Sequence, residues 1–160
     1  MRNPLPDGPQ PSLRGQAVKL LARRDHSRAE LSKKLAPLGT SEEINEVLDQ
    51  LEQTGLLSDA RAAAAYLRSH AARFGAAKLS HSLRAKGISA ELIEASLAQQ
   101  ESGGELERAR QLWQRKFGNR PTQDVRDAKE WARQARFLQS RGFSAEIIHK
   151  LLKSTDDERI

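Results

Sequence analysis

Residues 83–97, LRAKGISAELIEASL, and residues 138–152, LQSRGFSAEIIHKLL, are two copies of one pattern. At a constant offset of 55, seven of the fifteen positions are identical, including Gly87/Gly142 and the Ser-Ala-Glu that begins two residues later. Glycine adopts the left-handed backbone that ends many helices, and serine caps the free amides that begin one. Each copy therefore predicts a helix, a tight turn and a second helix.

A third and weaker copy lies 48 residues upstream of the first. Its matching positions are Leu31, Leu35, Gly39, Ser41 and Glu43 against Leu79, Leu83, Gly87, Ser89 and Glu91. Each copy follows another helical stretch, at about 14–24, 58–73 and 105–117. Such units are too small to bury their apolar faces alone, so they should stack side by side. The sequence predicts an all-α fold of three tandem three-helix repeats.

Helix boundaries carry their own signals. Ser27 with Glu30 and Thr40 with Glu43 each fit a capping box. Further N-caps are expected at Ser58, Ser89 and Ser144, and helix-ending glycines at Gly39, Gly55, Gly87, Gly118 and Gly142. The predicted organisation is a disordered proline-rich tail at 1–13, units at 14–57, 58–102 and 103–155 with a hinge at Gly103-Gly104, and a C-terminal tail at 156–160.

Catalytic and metal-binding signatures are absent from the sequence. The 160 residues include no cysteine and no glycine-rich phosphate loop or nucleophile elbow, and the four histidines are never helical neighbours. We expect those histidines, His26, His70, His81 and His149, at the surface or a boundary. No apolar run approaches the roughly 18 residues of a membrane helix, and no signal peptide is seen. We expect a soluble cytoplasmic protein without enzymatic activity or cofactor.

Basic charge is the remaining feature, and it is unevenly distributed. The formal net charge is +6, yet residues 1–57 hold 8 basic and 8 acidic groups. Residues 61–90 hold six basic groups and no acidic one, and residues 108–141 hold ten against three. These two blocks predict a surface for an acidic partner. Six of the seven aromatic residues are expected to pack in the core: Tyr66, Phe74, Trp113, Phe117, Trp131 and Phe137.

Several segments resemble the RecX family, the bacterial regulators of the recombinase RecA. They are RAELSKKL at 28–35, TGLLSDARAAAAYL at 54–67, RFGAAKLSHSLRAKGIS at 73–89, RKFG at 115–118 and ARFLQSRGFS at 135–144. The match is collinear over residues 14–152. The resemblance implies three tandem helix-turn-helix-like units in an elongated, curved array.

The resemblance also implies a function and a partner. The chain would bind RecA and its filament on single-stranded DNA, inhibit ATP hydrolysis and strand exchange, and so restrain recombination and the SOS response. A curved helical array with basic stripes suits such a helical groove, where RecA and the bound DNA both offer negative charge. The candidate contact residues are Arg73, Lys78, Arg84, Lys86, Arg115, Lys116, Arg133, Arg136 and Arg141. Gly75, Gly87 and Gly142 are interpreted as turn-forming. A monomer is expected, with weak direct DNA binding left open.

Two alternatives remain at this point. A stand-alone basic helical DNA-binding protein would place a recognition helix in the major groove, although no helix shows a clear cluster for reading base edges. A passive helical adaptor would use its basic surface for solubility. Salt dependence separates them, since a phosphate binder loses affinity steeply as salt rises.

Overall fold

The computed structural model describes residues 12–100, 104–118 and 128–157, and these residues form nine α-helices, one 3-10 helix and no strand. The helices are α1 Leu13–Arg23, α2 Arg28–Leu35, the 3-10 helix Ala36–Leu38, α3 Ser41–Gln53, α4 Asp59–His70, α5 Ala76–Ala85, α6 Ala90–Gln99, α7 Gly104–Phe117, α8 Ala128–Ser140 and α9 Ala145–Asp157. Helices α1–α3, α4–α6 and α7–α9 pack as three successive groups, called unit 1, unit 2 and unit 3 below. The prediction of an all-α repeat fold is confirmed.

Each unit has a small apolar core of its own. The core of unit 1 contains Ala17, Leu31, Leu35, Ile44, Leu48, Leu51 and Leu57. The core of unit 2 contains Ala63, Leu67, Ala71, Leu79, Leu83, Ile88 and Ile93. The core of unit 3 contains Ala109, Leu112, Trp113, Phe117, Leu138, Phe143, Ile148, Leu151 and Leu152. Because burial of apolar area is the main stabilising term, cores this small make the contacts between units important to the whole.

The predicted helix starts are confirmed. Both capping boxes form: Ser27 and Thr40 accept from the amides of Glu30 and Glu43, and each glutamate accepts in return from the cap amide. The hydroxyls of the three serine caps accept from the amide three residues on, at Ser58, Ser89 and Ser144.

The repeated turns of units 2 and 3 have the same geometry. Gly87 and Gly142 have φ of 76° and 91°. The amide of Ile88 donates to the Leu83 carbonyl, and the amide of Phe143 donates to the Leu138 carbonyl, both over 3.2 Å. This six-to-one bond is the mark of a Schellman turn, in which glycine takes the left-handed position. The sequence repeat is therefore a repeat of backbone conformation.

The left-handed conformation expected at the helix-ending glycines is wrong at two of the five positions. Gly39 and Gly118 are not left-handed. Pro37 lies in the 3-10 helix, where its missing amide prevents the helical ladder, and Gly39 leaves in extended conformation with φ of −169°. Gly118 directly follows the last residue of α7, as predicted, but its amide donates to the Gln114 carbonyl in a helical bond instead of forming a left-handed turn.

Unit 2 also departs from the prediction between its first two helices. The helix expected over 58–73 ends at His70, because a tight turn follows in which the Arg73 amide donates to the His70 carbonyl. Gly75 does not form that turn. It is the N-cap of α5 with φ of −81°. Its lack of a side chain lets the backbone of α5 approach the backbone of unit 3 closely.

Some predictions fall on residues outside the described ranges. They concern the proline-rich tail over 1–11, Gly103 of the expected hinge and the last residues of the C-terminal tail.

Candidate partner-binding surface

Unit 1 meets unit 2 at the N-terminus of α2. The Ser27 hydroxyl donates to the Lys86 carbonyl at 2.5 Å, and the Arg28 amide donates to the Asp59 carboxylate at 2.7 Å. Ala29 lies against Gly87 so closely that a Cβ on Gly87 would be 2.4 Å from the Ala29 Cβ. The turn glycine of unit 2 is thus also the position against which unit 1 packs.

Unit 2 meets unit 3 in the same way at the N-terminus of α5. The Gly75 amide donates to the Arg141 carbonyl at 2.7 Å, and the Ala76 amide donates to the Glu105 carboxylate at 3.1 Å. A Cβ on Gly142 would lie 2.4 Å from the Cβ of Lys78. Lys86 and Arg141 therefore occupy equivalent places, each with its carbonyl bonded to the preceding unit.

Three aromatic rings stack along one side of α4 and the turn after it. The rings of Tyr66 and His70 have centroids 4.0 Å apart and an interplanar angle of 12°, and the rings of His70 and Phe74 are 6.4 Å apart. The four-residue spacing brings these side chains to one helix face. All three are half-buried, so their rings support neighbouring side chains as well as the core.

Cations cover these rings. The Lys86 ammonium lies 5.2 Å from the centroid of Tyr66. Phe74 is approached by Lys78 at 4.8 Å and by Arg73 and Arg141, each at 5.9 Å. These distances fall within the range of cation–π attraction, worth about 0.5–1 kcal/mol at exposed sites.

The pattern continues into unit 3. Phe117 and Phe137 meet edge to face with centroids 5.4 Å apart. The Arg133 guanidinium lies 5.6 Å from the Phe117 ring, and Lys116 and Arg141 lie 5.7 and 5.3 Å from the Phe137 ring. Arg141 thus contacts rings from both units. We call the whole set the cation–aromatic band: Tyr66, His70, Phe74, Phe117 and Phe137 with Arg73, Lys78, Lys86, Lys116, Arg133 and Arg141.

The structure brings six of the nine candidate contact residues into this band. Arg115 lies beside it and donates to the Ala72 carbonyl at 2.6 Å, which ties α7 to the turn after α4. Arg84 instead lines a cleft at the junction of units 1 and 2. Arg136 is exposed on α8. The aromatic residues expected in the core are buried or half-buried, and several of them also support cations.

The cleft at the first junction has a volume of about 710 Å³. Its charged and aromatic lining is formed by Glu30, Lys33, Lys34, Tyr66, His81, Arg84 and Lys86. Lys33 and Lys34 belong to unit 1, whose sequence block has no net charge, so counting charge along the chain missed them. The adjacent lysines in the last turn of a short helix were the signal that could have indicated them.

Two titratable groups beside the cleft, Glu30 and His26, have pKa values shifted by their surroundings. Burial disfavours the carboxylate of Glu30, but hydrogen bonds from Arg24 and the Ser27 amide, with the charge of Lys86, lower its pKa below 4.5.

The prediction that His26 lies at the surface or a boundary is wrong, since it is 2% exposed. Burial lowers its pKa, and its Nδ1 donates to the Arg24 carbonyl. Neutral Nε2 can then accept from the Lys34 ammonium, 3.2 Å away.

Among the described residues, no helix has the length and apolar character needed to cross a membrane, and no group of three or more histidine or acidic side chains could hold a metal ion.

Comparison with known proteins matches all three units separately. Family models for the first, second and third three-helix domains of RecX match residues 14–51, 58–97 and 104–152. The chain is 48% identical to the regulatory protein RecX of Leptothrix cholodnii over 151 residues, which is 94% of this chain and 93% of that protein. It is 38% identical to RecX of Chromobacterium violaceum over 148 residues, 92% of this chain and 93% of the relative.

The fold is similar to solved RecX structures. The crystal structure of RecX from Lactobacillus salivarius superposes with a TM-score of 0.78 at 22% identity, covering 90% of this chain and 94% of the other. The three matched domains, together with relatives that align over more than nine-tenths of their length, show that the chain belongs to the RecX family of regulatory proteins.

Proposed function

We propose that the chain binds RecA and the RecA filament on single-stranded DNA, and inhibits RecA's ATP hydrolysis and strand exchange. It would thereby modulate recombination, DNA repair and the SOS response, acting as a monomer in the cytoplasm. Membership of the RecX family supports the partner. The observation that supports this binding surface is the cation–aromatic band, which crosses the junction of units 2 and 3.

The band suits an acidic protein groove for two physical reasons. A side chain already placed over a ring loses less conformational freedom when it binds, so more of each contact remains as affinity. Guanidinium groups also pair with carboxylates through two parallel hydrogen bonds. Arg141 is at the centre of this arrangement, since it contacts Phe74 of unit 2 and Phe137 of unit 3.

The test is RecA's ATP hydrolysis on single-stranded DNA, titrated with this protein at low and high salt. We expect inhibition at well below one molecule per RecA, weakening at high salt because exposed charges are screened. The Arg141→Gln variant should need roughly 10-fold more protein for half inhibition, as a charge-assisted hydrogen bond contributes about 1.5 kcal/mol.

Arg68→Gln is the matched control. Arg68 is an exposed arginine on α4 in the same basic block, outside the cation–aromatic band. The Arg68→Gln variant should inhibit RecA's ATP hydrolysis as strongly as the unmodified protein does. Equal loss in both variants would mean that net charge, not the band, determines binding, and absence of inhibition by the unmodified protein would overturn the proposed function.

A further inference from the structure

The two junctions between units share a backbone geometry but differ in charge at one equivalent position. Glu30 and Lys78 are each the third residue of a second helix, α2 and α5 respectively. Lys86 and Arg141 each follow the last residue of the next unit's second helix, and each has its carbonyl bonded to the preceding unit. The pair Glu30–Lys86 at the first junction therefore corresponds to the pair Lys78–Arg141 at the second.

At the first junction the charges are complementary. The Lys86 ammonium lies 3.5 Å from the Glu30 carboxylate, and the Arg61 guanidinium bonds the Asp25 carboxylate at 3.0 Å. Both ion pairs join unit 1 to unit 2. Their attraction adds to the hydrogen bonds between the units, so charge favours a closed first junction.

At the second junction the charges are alike. The Lys78 ammonium lies 4.8 Å from the centre of the Phe74 ring, and the guanidinium groups of Arg73 and Arg141 approach the same ring from the two units, each at 5.9 Å. In the described part of the chain, no ion pair crosses this junction. The ring attracts each cation, but the cations repel one another across the junction.

A buried arginine adds to this imbalance. Asp59 and Glu105 set the register of α4 against α7, because their carboxylates accept from the first amides of α2 and α5. In this register Arg108 corresponds to Ala62, which lines a cavity at the first junction. The Nε and Nη2 atoms of Arg108 are buried, and they have no hydrogen-bond partner among the described residues. Burial of these donors without a partner is unfavourable, and opening of the second junction would return them to water.

We propose that the junction of units 2 and 3 is a salt-responsive joint, whereas the junction of units 1 and 2 is fixed. At low ionic strength, repulsion between the cations of the two units rotates unit 3 away from unit 2, and counterions close the joint as salt rises. The three apolar cores are separate among the described residues, so the rotation leaves each core intact. An anionic partner lying across the joint closes it in the same way, so the curvature of the array adapts to its partner.

The test measures distances between spin labels by double electron–electron resonance. The chain has no cysteine, so introduced cysteines carry the labels at chosen positions. Ala95→Cys on α6 with Lys153→Cys on α9 spans the salt-responsive joint, and Gln50→Cys on α3 with Ala95→Cys spans the first junction. All three positions are exposed. Each pair is measured at about 0.01 M and about 1 M salt, where the Debye length is about 30 Å and about 3 Å.

The label distance across the salt-responsive joint should change by about 5 Å between the two salt concentrations, because a rotation of about 15° moves a label about 20 Å from the pivot by that amount. The distance across the first junction should change by less than about 2 Å. An unchanged distance at the second junction, or equal changes at both junctions, would overturn the proposal.

Lys78→Glu tests the cause of the motion. It places a carboxylate opposite Arg141, as Glu30 lies opposite Lys86, and should remove most of the salt-dependent change. Lys78 is exposed, so the variant should fold, and circular dichroism checks this. Lys19→Glu is the matched control, since it makes the same charge reversal at an exposed position on α1 and should leave the change intact. Persistence of the change in Lys78→Glu, or its loss in both variants, would contradict the assigned cause.

Glu30→Gln is the reciprocal test at the first junction. Glutamine can still complete the capping box of α2, but it removes the charge that attracts Lys86. The distance between labels at positions 50 and 95 should then change with salt by more than about 2 Å. An unchanged distance would refute the role of this ion pair in fixing the first junction. Since RecA is absent from these measurements, their failure refutes the salt-responsive joint alone, whereas failure to inhibit RecA refutes only the proposed function.

Discussion

Gly142 lies against the backbone of Lys78, so that a Cβ on Gly142 would be 2.4 Å from the Lys78 Cβ and 2.7 Å from its nitrogen. This contact joins unit 2 to unit 3 where the cation–aromatic band crosses between them. The two units can approach so closely only because residue 142 has no side chain.

Gly142→Ala should therefore destabilise the protein by about 2–4 kcal/mol. The left-handed φ of 91° costs an alanine about 1 kcal/mol, and the clash with backbone atoms adds about 1–3 kcal/mol. Urea unfolding followed by circular dichroism measures the change. Gly55→Ala is the matched control, because its φ is 78° but nothing lies within 4 Å of the added Cβ. A loss of about 1 kcal/mol in both variants would show that the junction relaxes freely.

Gly87→Ala should be rescued in part by a second substitution. The added Cβ would meet the Cβ of Ala29 at 2.4 Å, while the next atom, the Ala29 Cα, is 3.9 Å away. Ala29→Gly removes the clashing atom, so the double variant should be about 1 kcal/mol or more stable than additivity of the single variants predicts. A double-mutant cycle in urea measures this coupling. Additive losses would contradict the contact.

Ser27→Ala should cost more than Thr40→Ala, although both remove a capping box. Thr40 is exposed and its loss should cost about 1 kcal/mol. Ser27 is fully buried and its hydroxyl also donates to the Lys86 carbonyl. That loss leaves a junction acceptor without its donor, adding about 1–2 kcal/mol. Equal free energies of unfolding for the two variants would show that the Ser27–Lys86 bond adds nothing.

Stability should fall as the pH drops below neutrality because of His26. Burial lowers its pKa in the folded protein below the unfolded value of 6.5, so the unfolded chain binds more protons between those two values. The free energy of unfolding therefore decreases as the pH falls through 6.5 towards the folded pKa. Urea titrations at about pH 7.5 and 5.5 measure this dependence.

The control for this pH dependence is His26→Gln, which cannot titrate. The loss between the two pH values should be smaller in that variant. Glu30 acts in a different window: its pKa is lowered, so its contribution is present above 4.5 and is lost as the pH falls below that value. An unchanged pH dependence in His26→Gln would exclude His26 as the source.

Local sequence signals predicted much of the fold. Some features depend only on residues within six positions of each other, so the local pattern is enough to predict them. These are the capping boxes at Ser27 and Thr40 and the turn glycines at 87 and 142. Gly39 was misjudged because the rule for a helix-ending glycine ignores the preceding Pro37, which converts the turn into a 3-10 helix.

The candidate site was predicted less completely, because it depends on contacts between units. Lys33 and Arg84 are 51 positions apart, and they line one cleft because Ala29 packs against Gly87. Nothing in either residue's own neighbourhood indicates that pairing. The basic blocks were informative where a single unit supplies them, as with Lys116 and Arg133 around the rings of unit 3.

The joints between units also give the array a polarity. At both joints in the described residues, the N-terminus of the second helix of one unit lies against the turn of the next unit. The turn of unit 1 is built differently: a Cβ on Gly39 would lie 3.2 Å from the side chain of Leu13, which belongs to the same unit. That leucine occupies the place where a preceding unit would dock. Among the described residues, unit 1 thus gives a contact to unit 2 through α2, while its own turn at Gly39 is covered by Leu13 and receives no other unit.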